Sequence, residues 1–188
     1  MTGQNNRPAS RSGFTIMEIL VVVAIIGIIS LAMVPFAQVT FIRYKEDEFQ
    51  SNLHTVRKAI KLWHDDCYST LKSQLPTLVD AIPDCYLYPP DIGSLTKTIP
   101  YPIKGTTAVF YPKFYLKEIP IDPFVNGAIW TQFYASETVV AGNTTSTYEY
   151  GKISGAIGTG VFDISGHPAT DTRRGFVLAL DGTNYSDW

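Results

Sequence analysis

The apolar pattern divides the chain into two parts near residue 67. From Phe14 to Phe36 nearly every side chain is apolar, in the run FTIMEILVVVAIIGIISLAMVPF. A helix needs about 20 such residues to cross a hydrocarbon core roughly 30 Å thick, so this run predicts a membrane-spanning segment. The pattern then changes. Val39, Ile42, Phe49, Leu53, Val56, Ile60, Trp63 and Cys67 recur three or four positions apart, with Glu46 in the one polar slot. That period is one face of an amphipathic helix. Pro35 stands between the two halves and predicts a kink or a loosened turn, because it removes a backbone donor and crowds the carbonyl four residues back. A single helix from Phe14 to about Cys67 runs about 80 Å at 1.5 Å per residue. Its amphipathic half needs a cover, supplied either by the downstream chain or by a second helix in a coiled coil.

From Tyr68 to about Pro120 the periodicity breaks up. LKSQLPTLVDAI has room for a short helix, after which Pro83, Pro89, Pro90, Pro100, Pro102 and Pro112 exclude long regular elements. Beyond them come short alternating runs at Ala128–Tyr134, Tyr148–Ile153, Gly160–Ile164 and Gly175–Asp181, separated by Gly, Asn, Thr and Ser. They predict an antiparallel meander of three or four strands with one face over the helix stripe. Asp122-Pro123 and Asn126-Gly127 are turn dipeptides that set the first strand.

Charge orients the chain. The polar leader MTGQNNRPASRSG carries Arg7 and Arg11 and no acid, and no basic residue follows the apolar run until Arg43. Positive charge on the leader side places the N-terminus in the cytoplasm and the C-terminal domain outside the inner membrane. Net charge is −2, and no cluster of Lys and Arg suggests a nucleic-acid surface. Cys67 and Cys85 then lie in an oxidising compartment. A bond between them closes a loop of 19 residues, worth roughly 3 kcal/mol in the chain-entropy account. Two unpaired thiols are the alternative.

Two features of the apolar run go beyond a simple anchor. The leader stops at Gly13 with no small-residue cleavage site after the run, unlike a secretory signal. Glu18 puts a carboxylate inside an otherwise uncharged span, at a cost on the order of a few kcal/mol if it stays charged and unpaired. Gly13, Phe14, Thr15 and Glu18, followed by the apolar run and Pro35, resemble the type IV pilin and pseudopilin family with its prepilin leader. The resemblance implies cleavage by a prepilin peptidase between Gly13 and Phe14 and methylation of the new Phe14 amine. It also implies assembly through Phe14, Glu18 and Pro35, with the Glu18 carboxylate pairing to the Phe14 amine of a neighbouring subunit. The competing reading is that Glu18 reaches the headgroups from near the helix start, at little cost.

A second resemblance lies in Tyr115–Trp130, YLKEIPIDPFVNGAIW. It looks like the Y-L-K-x-L-P-x-D-P-W-G-N-P stretch of major pseudopilins of type II secretion, with Ile119 for Leu, Phe124 for Trp, and Val125 where the family has Gly before Asn126. The implied fold is α+β, a pilin fold in which one long helix packs on a small antiparallel sheet. Its divisions are a leader over 1–13, a membrane and assembly half over 14–36 and an amphipathic half over 37–67. A loop region follows over 68–120, then the sheet and tail over 121–188. The implied function is structural, a homopolymer handled by an inner-membrane assembly platform and minor pseudopilins. The alternatives are a pilin for adhesion, motility or DNA uptake, and an enzyme or binding module on a pilin-like anchor.

Candidate chemistry is sparse. His64-Asp65-Asp66-Cys67 looks ligand-rich, but consecutive helical residues point in different directions and cannot meet on one ion. His54, His64 and His167 have no neighbours suggesting a catalytic triad. The glycines 155, 158 and 160 have the wrong spacing for a dinucleotide loop. The glycosylation sequons at Asn143 and Asn184 are short enough to arise by chance. No cofactor is expected apart from one candidate. Major pseudopilins carry calcium in a C-terminal loop, and Asp163, Ser165 and Asp171 offer the oxygen ligands that calcium takes. Arg173 and Arg174 set positive charge beside them.

Overall fold

The computed structural model describes residues 13–124, 130–140, 143–153, 160–166 and 179–183. Helix α1, Ile16–Gln74, is followed by 3-10 turns at Val79–Ala81, Asp84–Leu87 and Ile92–Thr96. The strands are β1 (Tyr101–Pro102), β2 (Val109–Phe110), β3 (Thr131–Val140), β4 (Asn143–Ile153) and β5 (Gly160–Ser165). The architecture is α+β, one long N-terminal helix with small antiparallel sheets, as in a pilin fold. The chain divides into two compact units, 1–42 and 43–188.

In the first unit α1 opens with Thr15 as its cap, the Glu18 amide donating to Thr15 Oγ1 at 3.2 Å. Thr15 and Glu18 stand three apart, the spacing of a capping box. Helical structure continues through Pro35 without interruption. Every described residue from Gly13 to Phe41 is exposed, and none of the membrane-length apolar stretch is buried.

The second unit is built on the rest of α1. Phe49, Leu53, Val56, Ile60, Trp63 and Cys67 are buried as the stripe requires, joined by Ala59 and Leu71. Val39, by contrast, is exposed. The helix runs seven residues past the expected end at Cys67, because Leu71 extends the stripe. It stops at Gln74, just short of Leu75-Pro76, where the proline disfavours helix in its predecessor. LKSQ is therefore the last turn of α1, and only Val79–Ala81 forms a separate short turn. Glu46 in the polar slot is also buried, and its Oε1 accepts the Leu180 N–H at 2.9 Å.

Two layers cover the stripe. One is a three-stranded antiparallel sheet in the order β4-β3-β5, with Val140 paired to Asn143 and Thr131 to Ser165. Both ladders shift register next to Phe133, with the extra residues on its partners, Phe162 in β5 and the stretch between Tyr148 and Ile153 in β4, so β4 and β5 are bulged there. The sequon residue Asn143 opens β4. Of the expected strand over Gly175–Asp181, residues 175–178 lie outside the described part, and 179–182 contain a turn closed by the Gly182 N–H on Ala179 O.

The other layer is a strap, residues 109–124, laid antiparallel along α1. Val109 exchanges hydrogen bonds with the Gln74 side chain, and Tyr115 donates to Asp66 at 2.7 Å. Asn52 donates to Ile121 O at 3.1 Å, and the Phe124 ring packs edge-on against Phe49 at 5.7 Å. The strap meets α1 one station after another from its C-terminal end backwards. Trp63 sits at the centre, ringed by Tyr101, Phe110 and Tyr115 at centroid distances of 6.0, 5.1 and 5.6 Å. Burying a large apolar side chain stabilises a domain by about 1.5–3 kcal/mol.

Backbone contacts are close where β5 passes the loop over Tyr88 and Pro89. Val161 donates to Pro89 O at 2.7 Å, and a Cβ on Gly160 would lie 2.6 Å from Tyr88 Cβ and 2.7 Å from its carbonyl oxygen. Gly160→Ala is expected to cost about 1–3 kcal/mol by forcing strand and loop apart. The same change at Gly27, which meets nothing within 4 Å, is expected to leave the midpoint unaltered. Thermal melts of the two variants in detergent, followed by circular dichroism, check the contrast.

Candidate functional site

The N-terminal site is defined by exposure. Gly13 and Phe14 lie ahead of the helix, Phe14 is 79% exposed, and Glu18 is exposed in the first turn. Position within that turn gives Glu18 a role that spacing alone did not suggest. The free N–H groups and dipole of a helix start favour a carboxylate there, and the Thr15 hydroxyl already satisfies the Glu18 amide. The acid is thus accommodated locally while its side chain stays available to a neighbour. Phe14, Glu18 and Pro35 are therefore set along one helix and its entry, and each is exposed.

The Asp163, Ser165 and Asp171 set is not arranged for calcium in its described part. Asp163 Oδ1 is taken by Arg57 Nε at 2.7 Å and by the Ile164 N–H at 2.8 Å, while Arg57 Nη2 reaches Ile164 O at 3.1 Å. A guanidinium in contact with the carboxylate opposes a second cation there. Ser165 is buried at the end of β5, and Asp171, Arg173 and Arg174 lie outside the described residues. Among the described residues, no three His, Cys, Asp or Glu side chains are grouped to hold a metal ion. Arg57 is the residue that sequence reading missed, since it lies 106 positions from its partner.

Cys67 and Cys85 stand as fully buried thiols, Cys67 in the main core and Cys85 beside Tyr86 and Ala135. Burial pushes the Cys67 thiol up to about 12.

The HDDC sequence diverges as helical geometry requires. His64 turns to Asp84 at 2.7 Å, Asp66 takes Lys113 at 2.7 Å as well as Tyr115, and Cys67 enters the core. Burial works against the Asp66 charge, but the hydrogen bonds from Lys113 and Tyr115 outweigh it and hold the carboxyl below its usual range. In the stretch from Tyr115, Asp122 is only 2% exposed and accepts the Phe124 N–H at 2.9 Å. This Asx turn redirects the strap onto Phe49. Trp130 anchors the far side, its indole donating to Pro120 O at 2.6 Å. Val125, Asn126 and Gly127 lie outside the described residues.

A comparison with protein families bears on the N-terminal site. Residues 8–34 match the prokaryotic N-terminal methylation motif. The chain thus begins with a type IV pilin-like prepilin signal, which implies processing by a prepilin peptidase and, in general terms, assembly into filaments. With the long apolar helix, the motif fits a membrane-anchored, pilin-like protein. No curated protein and no solved structure matches the chain.

The ion pair supplies the test of the calcium question. Asp163→Asn is expected to lower the stability of the second unit by about 1 kcal/mol, the modest worth of a partly exposed pair. The thermal midpoint of the native chain is expected to be the same in calcium and in a chelator. A midpoint raised by calcium would show that residues beyond 166 complete a site.

Proposed function

We propose that this chain is a filament-forming structural subunit, a major pseudopilin of a type II secretion system, that polymerises through its N-terminal helix to drive protein export. The observation that carries the assembly reading is the uncovered apolar helix with one carboxylate in its first turn, directly behind the prepilin cleavage junction. Subunits leave lipid rather than water when they assemble, so helix packing and specific polar pairs matter more than apolar burial. The amine of Phe14, freed by cleavage, and the Glu18 carboxylate of a neighbour form such a pair. Contacts that repeat head to tail without closing give an open fibre.

The choice of pseudopilin rests on the strap. YLKEIPIDPF is the stretch of the second unit most like the secretion family, and three of its positions have a packing role: Tyr115 on Asp66, Asp122 in its turn, Phe124 on Phe49. In this reading the protein is not an enzyme. It is inserted in the inner membrane with its N-terminus inside, then drawn into an envelope filament by an assembly platform with minor pseudopilins.

Glu18→Ala and Glu18→Val are expected to be processed and inserted normally while assembling weakly or not at all. Sheared-cell fractions and the electron microscope read the outcome, and normal filaments from either variant would refute the pairing. The mass of the native protein is expected to correspond to a chain starting at Phe14 with one added methyl group. A start anywhere else overturns the cleavage assignment. The same mass reports the redox state of Cys67 and Cys85, since a disulfide removes two hydrogens.

A further inference from the structure

The assembly reading makes no use of His64. This residue stands at the margin of the buried stripe, and its imidazole is flanked by two acids. Nε2 is 2.7 Å from Asp84 Oδ1, and Nδ1 is 3.5 Å from Asp65 Oδ1. The Tyr88 ring stacks on it at 4.5 Å between centroids, tilted by 33°. Asp84 carries the contact onward, since its other oxygen accepts the hydroxyl of Tyr148 in β4. Next to it the Cys85 N–H donates to Ser146 Oγ in the same strand at 2.9 Å, and the Tyr86 hydroxyl donates to Glu137 in β3. The turn over residues 84–86 is thus a piece of chain through which α1 holds the β3–β4 hairpin. His64 is where α1 grips that turn.

The groups facing the ring decide how it responds to protons. From α1 they are Asp65, with Lys61 and Tyr68 one helical turn to either side. Asp84 comes from the 3-10 turn, Tyr88 from the loop after it, and Tyr148 from β4. Phe162 of β5, edge-on to Tyr148 at 5.2 Å, adds no charge. An imidazolium has one N–H for each acid, whereas the neutral ring has a single N–H. If the neutral ring donates to Asp84, its Nδ1 lone pair faces the Asp65 oxygen. Protonation serves both acids and sets a cation against the Tyr88 face.

We propose that His64 is a proton-operated clasp: its imidazolium, bridging Asp65 and Asp84, fastens the β3–β4 hairpin to α1, and loss of the proton slackens the hairpin. Burial opposes the charge, yet the hydrogen bonds and charges of Asp84 and Asp65 together raise the His64 pKa above its usual 6.5. The hydrogen bond from His64 holds Asp84 below its usual range in turn. A base whose pKa is raised by folding contributes stability that is complete below the unfolded value and lost as pH rises through the folded one. The clasp is therefore closed below about pH 6.5 and opens as pH rises through the folded-state pKa.

Hydrogen exchange on the full chain in detergent, corrected for the intrinsic pH dependence of exchange, reads the clasp. Amides over 84–88 and 143–148 are expected to lose protection as pH rises through the folded pKa, while those over 53–63 keep theirs. His64→Gln keeps a donor for Asp84 and cannot titrate, so its protection over the same amides is expected to be independent of pH. A flat profile in the native chain, or an unchanged pH dependence in the variant, overturns the proposal. Should the variant fail to fold, the imidazole titration of the native chain by NMR decides instead. A midpoint above 6.5 supports the clasp, and one at or below 6.5 refutes it.

Discussion

The structure depends on a mismatch within one helix. α1 carries apolar surface along its whole length, but the chain covers only the part beyond about residue 45. In that part the stripe is narrow, and the strap on one side and the sheet on the other exclude water from it. In the N-terminal part the apolar surface goes all round the helix, as suits a lipid or protein surround rather than water. One element thus belongs to two solvents, and the different composition of its halves assigns each half to one of them.

Within the covered part, polar groups are placed where packing alone would leave the cover unregistered. Glu46 takes the Leu180 amide, Asn52 takes the Ile121 carbonyl, Arg57 takes Asp163, and Asp66 takes Tyr115 and Lys113. Each fixes one axial level of the helix to one point in the surrounding chain. Individually such contacts contribute modestly, since several are partly exposed. Their value lies in allowing one alignment of strap and sheet, which an apolar stripe with similar residues at every turn specifies poorly.

The helix was legible because its signals are local. The three-and-four spacing from Phe49 to Cys67, the leader junction at Gly13 and the length of the apolar run can all be read within a short window. The helix ends seven residues beyond Cys67 because Leu71 continues the stripe and Pro76 sets the stop. The strands were legible as alternating runs, with β3 and β4 each longer than their patterns suggested. The strap was not legible as a strap. Its prolines mark it as irregular, but its course along α1 follows from contacts with Gln74, Asp66, Asn52 and Phe49, which lie 35 to 75 positions earlier in sequence. Arg57 and His64 were unreadable for the same reason, because their acids lie far off or on a turn with no periodic signature. At the N-terminus, spacing alone marked Glu18 as anomalous, and the Thr15 cap explains how the helix tolerates it.

The separations that hid these contacts also constrain how the chain matures. Asn52 waits for Ile121, Arg57 for Asp163 and Glu46 for Leu180, separations of 69, 106 and 134 residues. Contacts so remote close slowly, and a chain made from its N-terminus forms its helix long before it has anything to lay over it. Until the strap and the sheet have emerged, the stripe from Phe49 to Leu71 is an open adhesive surface. Its guardianship during synthesis is a demand that this topology places on the cell.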